Sequence, residues 1–131
     1  MTPQLHELLD ILDLEKLEED LFRGRSYNFV GKRVFGGQVL GQALRAAGLT
    51  TDRPAHSLHA YFLHGGDIQA PIVYQVQRLR DGKSFVSRQV HAIQHGKVIF
   101  SALVSFAHPE QGLDYQLDMP EVPQPDSLRP E

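Results

Sequence analysis

Leu5, Leu8, Leu9 and Leu12 recur at the spacing of one helical face, so a short amphipathic helix is expected near the amino terminus. Thr2 suits its N-cap and Pro3 its first helical position. From Glu15 to Phe22 the signal is mixed. The carboxylates suit a helix, while Leu17, Leu21 and Phe22 suit an edge strand, which is the expectation here. Phe35 to about Leu49 differs, because Val39, Leu40, Ala43, Leu44, Ala46 and Ala47 make it apolar around most of its circumference. A helix of that kind is buried, and its small residues let other backbone approach closely. Gly36-Gly37 opens it, and one stripe (Gln38, Gln42 and Arg45) stays polar.

After Pro54 the pattern turns to strands: His56 to Leu63, Ile72 to Leu79, Ser84 to Gln94 and Val98 to Phe106. Asp81-Gly82 and His95-Gly96-Lys97 mark tight turns between the last three. Long antiparallel strands following one buried helix predict an α+β layer, a curved antiparallel sheet wrapped around one central helix. From Ala107 onward the texture changes. Five of the eight prolines lie there, and Leu113, Leu117 and Val122 are the apolar residues available to pack. Residues 1–108 are therefore expected to form the folded domain and 109–131 a Pro-rich linker or tail.

At 131 residues and 14.7 kDa, the chain suffices for one domain with a real core. A net charge of −3 and a pI near 6.1 give no broad pull toward nucleic acid or an anionic membrane, and neither is an expected partner. With no cysteine, thiol nucleophiles, disulfides and thiolate metal sites are excluded. No apolar run approaches the ~18 residues of a membrane span, and the first residues lack the basic and apolar regions of a signal peptide. A cytoplasmic protein is expected, with no metal and no cofactor.

Three ordered blocks carry a resemblance. Val34-Phe35-Gly36-Gly37-Gln38-Val39-Leu40-Gly41-Gln42-Ala43-Leu44 is the first, and His56-Ser57-Leu58-His59-Ala60-Tyr61-Phe62 with Gly66-Asp67 the second. The third is Leu79-Arg80-Asp81-Gly82-Lys83-Ser84-Phe85, followed by Arg88, Val90 and Gln94-His95-Gly96. In this order they resemble the amino-terminal hot-dog domain of type II acyl-CoA thioesterases. The resemblance implies the hot-dog fold, hydrolysis of acyl-CoA to free fatty acid and CoA, and a second hot-dog domain following in a chain about twice this length. It also implies that an Asp–Gln–Thr/Ser constellation is carried mainly by that second domain.

Elementary chemistry selects the candidate residues. Thioester hydrolysis needs a group that positions or deprotonates water, and donors for the charge developing on the carbonyl oxygen. A helix start at Gly36 and Gly37 offers N–H groups and lets a ligand approach without a Cβ in the way; the alternative is a purely packing role. Gln38 and Gln42 are candidate substrate contacts but cannot act as an acidic base. Between Arg25 and Thr51 there is no Asp or Glu, so the isolated chain is expected to be inactive or nearly so. His59 is the candidate catalytic side chain, with a structural role as the alternative. His56, at i−3, should point to the opposite face of the strand, which argues against a shared metal site. Arg80, Lys83 and Arg88 are explained by turn chemistry and solvated strand charge, or alternatively by the phosphates of CoA. Asp67 reads as a turn residue, and no serine sits in a Gly-x-Ser-x-Gly setting.

Two functions follow: half of an acyl-CoA thioesterase, or a non-catalytic hot-dog module that pairs with another hot-dog domain. A hydratase of the same fold fits poorly, because His56-x-x-His59 lacks the Asp that fold analogy expects beside a catalytic His. Either function leaves an edge strand and an apolar face open. A homo-oligomer is therefore expected where no second domain is attached.

Overall fold

The computed structural model describes residues 3–27 and 31–130. Its elements run α1 (Pro3–Leu12), β1 (Glu15–Glu18), β2 (Leu21–Gly24), α2 (Gly36–Gly48), β3 (Ala55–Phe62), β4 (Ile72–Asp81), β5 (Phe85–Gln94) and β6 (Lys97–Ala107). All pairings are antiparallel, in the order β1-β2-β4-β5-β6-β3, so β1 and β3 are the edges. α2 touches every strand from β2 to β6 and so sits in the hollow of a curved sheet, the layout expected from the sequence.

The alternation of β5 is the plainest cause of this packing. Val86, Arg88, Val90, Ala92 and Gln94 are buried toward the helix, and the intervening residues face outward. Ala43, Ala46 and Ala47 are fully buried, and their small size seats α2 against Tyr74, Val90 and Phe100. Each large apolar side chain buried in this layer contributes roughly 1.5–3 kcal/mol. β5 and β6 are joined by a two-residue turn in which His95 (φ 49°) and Gly96 (φ 73°) are both left-handed. That is the geometry a tight hairpin prefers, and glycine adopts it without strain.

Several expectations need correction. The single edge strand expected over Glu15–Phe22 is a hairpin of two, β1 and β2, because Asp20 turns with φ 56° and its carbonyl accepts from Val76 N–H. The leucine stripe of α1 is not buried: Leu5, Leu8 and Leu9 are exposed, and Ile11 instead meets the core. The polar stripe of α2 is divided, with Gln38 and Gln42 buried and Arg45 exposed, while Leu44 is exposed as well. The N-cap expected at Thr2 lies outside the described residues. Beyond Ala107, the described chain to Pro130 holds only a 3-10 turn at Pro125–Ser127. No helix among the described residues is long and apolar enough to cross a membrane.

Candidate functional site

α2 begins without a side-chain cap. Phe35 is extended (φ −63°, ψ 129°), and its carbonyl accepts from Gln38 N–H at 3.0 Å and Val39 N–H at 3.4 Å. Among the described residues, the N–H groups of Gly36 and Gly37 have no acceptor. They sit at the positive end of the helix dipole, where developing negative charge is stabilised.

Two hollows flank this start. A groove of about 650 Å³ runs between α1 and α2, lined by Leu8, Ile11, Leu12, Phe35, Gly37 and Gly41 among others. Its walls are almost wholly apolar. On the other side is a cleft of about 280 Å³ that includes Arg33, Gly36, Phe62 and His64. Two exposed rings, Phe35 against Gly37 and Phe62 against Gly36, stand at the boundary.

Gln38 lines the groove, and Gln42 ties together the segments around it. Gln42 is fully buried, and its Nε2 donates to Ile11 O at 2.9 Å and Arg25 O at 2.8 Å. Its Oε1 accepts from the Tyr74 hydroxyl at 2.6 Å; burial pushes the Tyr74 pKa up, so the phenol keeps its proton. Gln38 Oε1 accepts from Tyr27 N–H at 3.2 Å, and its Nε2 donates to Ser26 Oγ at 3.2 Å. Both amide hydrogens of Gln42 are thus used within the protein, tying together the end of α1, the segment after β2 and the sheet. Gly24 makes this fit possible: a Cβ there would lie 2.6 Å from Gln42 Oε1 and 2.7 Å from its Cδ. Gly24→Ala is accordingly expected to lower stability by about 2–3 kcal/mol by overpacking, read from the denaturant midpoint. An unchanged midpoint would mean that Gln42 moves aside freely.

Residues 24–107 match the sequence profile of the family described as "Acyl-CoA thioesterase N-terminal domain". This chain belongs to that family. It is 50% identical over 121 residues to the human protein named acyl-coenzyme A thioesterase 8, covering 90% of this chain and 38% of that one. It is similar in structure to an acyl-CoA thioesterase II of Mycobacterium marinum (TM-score 0.78, 47% identity), covering 91% of this chain and 45% of that one. It is also similar to an Alicyclobacillus acidocaldarius protein described as having a hot-dog fold (TM-score 0.75, 26% identity), over 92% and 47% of the two chains. The chain therefore spans less than half the length of these relatives, and the thioesterase-domain fold is the hot-dog fold.

Within this acyl-CoA thioesterase domain, the other sequence candidates are dispersed. His59 is exposed on the outer face of the sheet, opposite Leu103 and edge-on to Tyr61 with ring centres 4.9 Å apart. α2 packs on the other face, so His59 and the Gly36–Gly37 start are not brought together. His56 does not point away from His59 as alternation predicted. A register shift between Ala55 and Ser57 makes it the extra residue of a bulge, and its Nε2 lies 2.7 Å from Ser105 Oγ on the outer face.

Arg88 does not face a ligand. It is fully buried, and all five of its N–H groups are used: Nε to Thr50 Oγ1, one terminal nitrogen to Arg80 O and Ser87 O, the other to Thr50 O and Asp81 Oδ1. Arg80 and Lys83 remain exposed at the hairpin.

Asp67 is more than a turn residue in isolation. Its Oδ1 accepts from Gln69 N–H at 2.8 Å, and its Oδ2 lies 3.1 Å from His95 Nε2. The Gln69 bond first, and then His95, hold its carboxyl below the usual range. Buried Gln94 clamps the same loop through Asp67 N, Asp67 O and Ala70 O. α2 has no carboxylate, and among the described residues no three His, Asp or Glu side chains gather as a metal set. The Gln42–Tyr74 bond, the Arg88 cluster and the Arg33–His64 cleft were not anticipated, because each joins segments far apart in sequence.

Proposed function

We propose that this domain is the amino-terminal half of an acyl-CoA thioesterase, acting on acyl-S-CoA and water to give a free acid and CoA. The observation that carries this is the apolar groove ending at two unoccupied N–H groups. An acyl chain lies between α1 and α2, and the thioester carbonyl oxygen accepts from Gly36 and Gly37. Gln38 meets the substrate from the groove wall, while Gln42, buried and hydrogen-bonded within the protein, serves by fixing the segments around the groove rather than by contact. Water attack needs a base, and with no carboxylate on α2 that base comes from a companion hot-dog domain. The free side of β3 is a natural place for such a domain to pair. The names of the human and mycobacterial relatives, and the share of their length that this chain spans, support the same division. The cytoplasm is the compartment this reading assigns, in keeping with a chain without cysteine.

The missing carboxylate favours a second reading for the chain by itself, a binding half that shapes the acyl channel without hydrolysing anything. His59, across the sheet from the groove, stands outside the chemistry on either reading. His59→Ala is expected to change turnover of the paired enzyme less than about threefold, under 1 kcal/mol. A hundredfold fall in kcat with unchanged melting would place His59 at the reacting atoms.

The groove is tested by binding. Acyl-CoA affinity for the chain, measured by calorimetry, should rise with chain length by up to about fourfold per methylene. Gly41→Leu, which intrudes beside Leu12, should flatten that dependence. Equal affinities for CoA and for long-chain acyl-CoA would contradict the assignment.

A further inference from the structure

The groove between α1 and α2 accounts for the acyl end of an acyl-CoA, and the Gly36–Gly37 donors for its carbonyl. The thiol arm with its phosphates then leaves the helix start on the other side. There the cleft of about 280 Å³ opens, with Gly36 on its border. Phe62, Leu63 and Phe100 give it apolar walls, and its ionisable side chains are Arg33 and His64. No carboxylate lines it. Two other hollows with charged walls differ: one holds Asp13 and Glu15 beside its arginines, the other Glu7 and Asp10. Carboxylates repel an anion from those two, and this cleft has only a cation to offer it.

Local structure positions that cation. Val34 N–H donates to Gly66 O at 3.0 Å and Arg33 pairs with Asp67 as an isolated bridge, so the segment entering α2 runs beside the 64–67 loop. Gly65 leaves room for the Arg33 side chain to lie across it: a Cβ there would be 3.1 Å from Arg33 Cδ and 3.3 Å from its Nε. Among the described residues Arg33 makes no ion pair. The nearby Asp67 carboxylate is engaged instead by Gln69 N–H and His95.

We propose that this cleft takes the phosphorylated thiol arm of coenzyme A, with the Arg33 guanidinium on the phosphates and His64 as a further hydrogen-bond donor. Resting on the acyl-CoA reading above, this places the half of the substrate that the groove leaves over. Distance selects this end of the molecule. Roughly thirteen bonds separate the thiol sulfur from the first phosphorus, about 15 Å at the rise of an extended peptide chain. Arg33 and Gly36 are three residues apart, at most about 11 Å along the backbone, so the guanidinium lies within that reach. Arg80 and Lys83, the other cations open to a phosphate, sit on the hairpin that Arg88 ties to Thr50, beyond the carboxy end of α2. The length of the helix puts that hairpin about 20 Å from Gly36, so Arg33 is the nearer cation.

The test is calorimetry on the 131-residue chain, with a long-chain acyl-CoA and with the same acyl group on pantetheine, which lacks the phosphates. The wild type should hold the acyl-CoA about tenfold more tightly. Arg33→Ala should remove that difference while leaving acyl-pantetheine affinity and far-UV circular dichroism unchanged. Arg80→Ala/Lys83→Ala, which removes twice the charge at the far hairpin, should alter acyl-CoA affinity less than about twofold. Equal wild-type affinities for the two ligands overturn the proposal while leaving the acyl-CoA reading in place. A loss caused by the hairpin variant and not by Arg33→Ala also overturns it, moving the phosphates to the other end of α2. Equal losses in both variants do the same, since they report only the general field of the chain. If neither ligand binds, the acyl-CoA reading itself fails and the proposal falls with it.

Discussion

Arg88→Ala should lower the stability of this domain by about 4 kcal/mol, or roughly 15 °C in melting temperature for a chain of this size. The guanidinium is completely enclosed and donates all of its hydrogens, three of them to backbone carbonyls. Removing it leaves Thr50, Arg80 and Ser87 carbonyls without those donors and opens a space the length of an arginine. Because Thr50 follows α2 and Arg80 lies near the end of β4, the loss also unfastens the helix from the hairpin. Arg88→Lys should recover only a minor part, since an ammonium has three donors and no planar fork. The Asp81 carboxyl is held below the usual range first by its hydrogen bond from Arg88. A depressed folded pKa gives stability that is present above the unfolded value and lost as pH falls through the folded one. The wild type should therefore lose this contribution in acid, and Arg88→Ala should show a flatter stability profile below the ordinary carboxylate pKa. A melting temperature within a few degrees of wild type would mean that the enclosed guanidinium is replaceable.

Gln42→Leu should cost about 3 kcal/mol, because it strands the Ile11 carbonyl and the buried Tyr74 hydroxyl together and leaves Arg25 O only its longer bond from Gln38. The change preserves most of the volume, so the loss reads hydrogen bonding rather than a cavity. Its local signature is release of α1. Ile11 O is anchored by Gln42, and with three leucines of α1 facing outward, few other contacts hold that helix. Hydrogen exchange across residues 5–12 should therefore rise well before global unfolding, and acyl-CoA affinity should fall with it as the groove widens. Tyr74→Phe removes one bond and should cost about 1 kcal/mol. The double variant should cost less than the sum, since the two side chains share that bond. Strict additivity would show that Gln42 and Tyr74 act separately.

The central helix and the four long strands were legible because hydrophobic period alone reports them. Glu15–Phe22 was not, because its hairpin depends on one left-handed aspartate, which leaves no mark on the periodicity. His56 was placed on the wrong face for a related reason: a bulge adds one residue to a strand and reverses alternation without changing composition. The polar stripe of α2 was visible, but its direction was not. Gln38 and Gln42 face inward because carbonyls at Ile11 and Arg25 need donors, a demand set by tertiary contact. Of the candidate site, Gly36 and Gly37 were readable as a helix start open to a ligand. The apolar groove beside them was not, since it is formed by two helices more than twenty residues apart.

The proposed hydrolysis requires a catalytic carboxylate from outside this chain. The direct measurement is thiol release from medium- and long-chain acyl-CoA, by the purified chain alone and after addition of a separately produced carboxy-terminal half of a two-domain relative, with Gly41→Leu run beside each. Turnover that appears only in the mixture, and shifts its chain-length preference with Gly41→Leu, is the predicted result. Turnover at ordinary enzymatic rates by the chain alone, altered by the same substitution and so not a contaminant, would contradict the account and require a base among the residues of this domain.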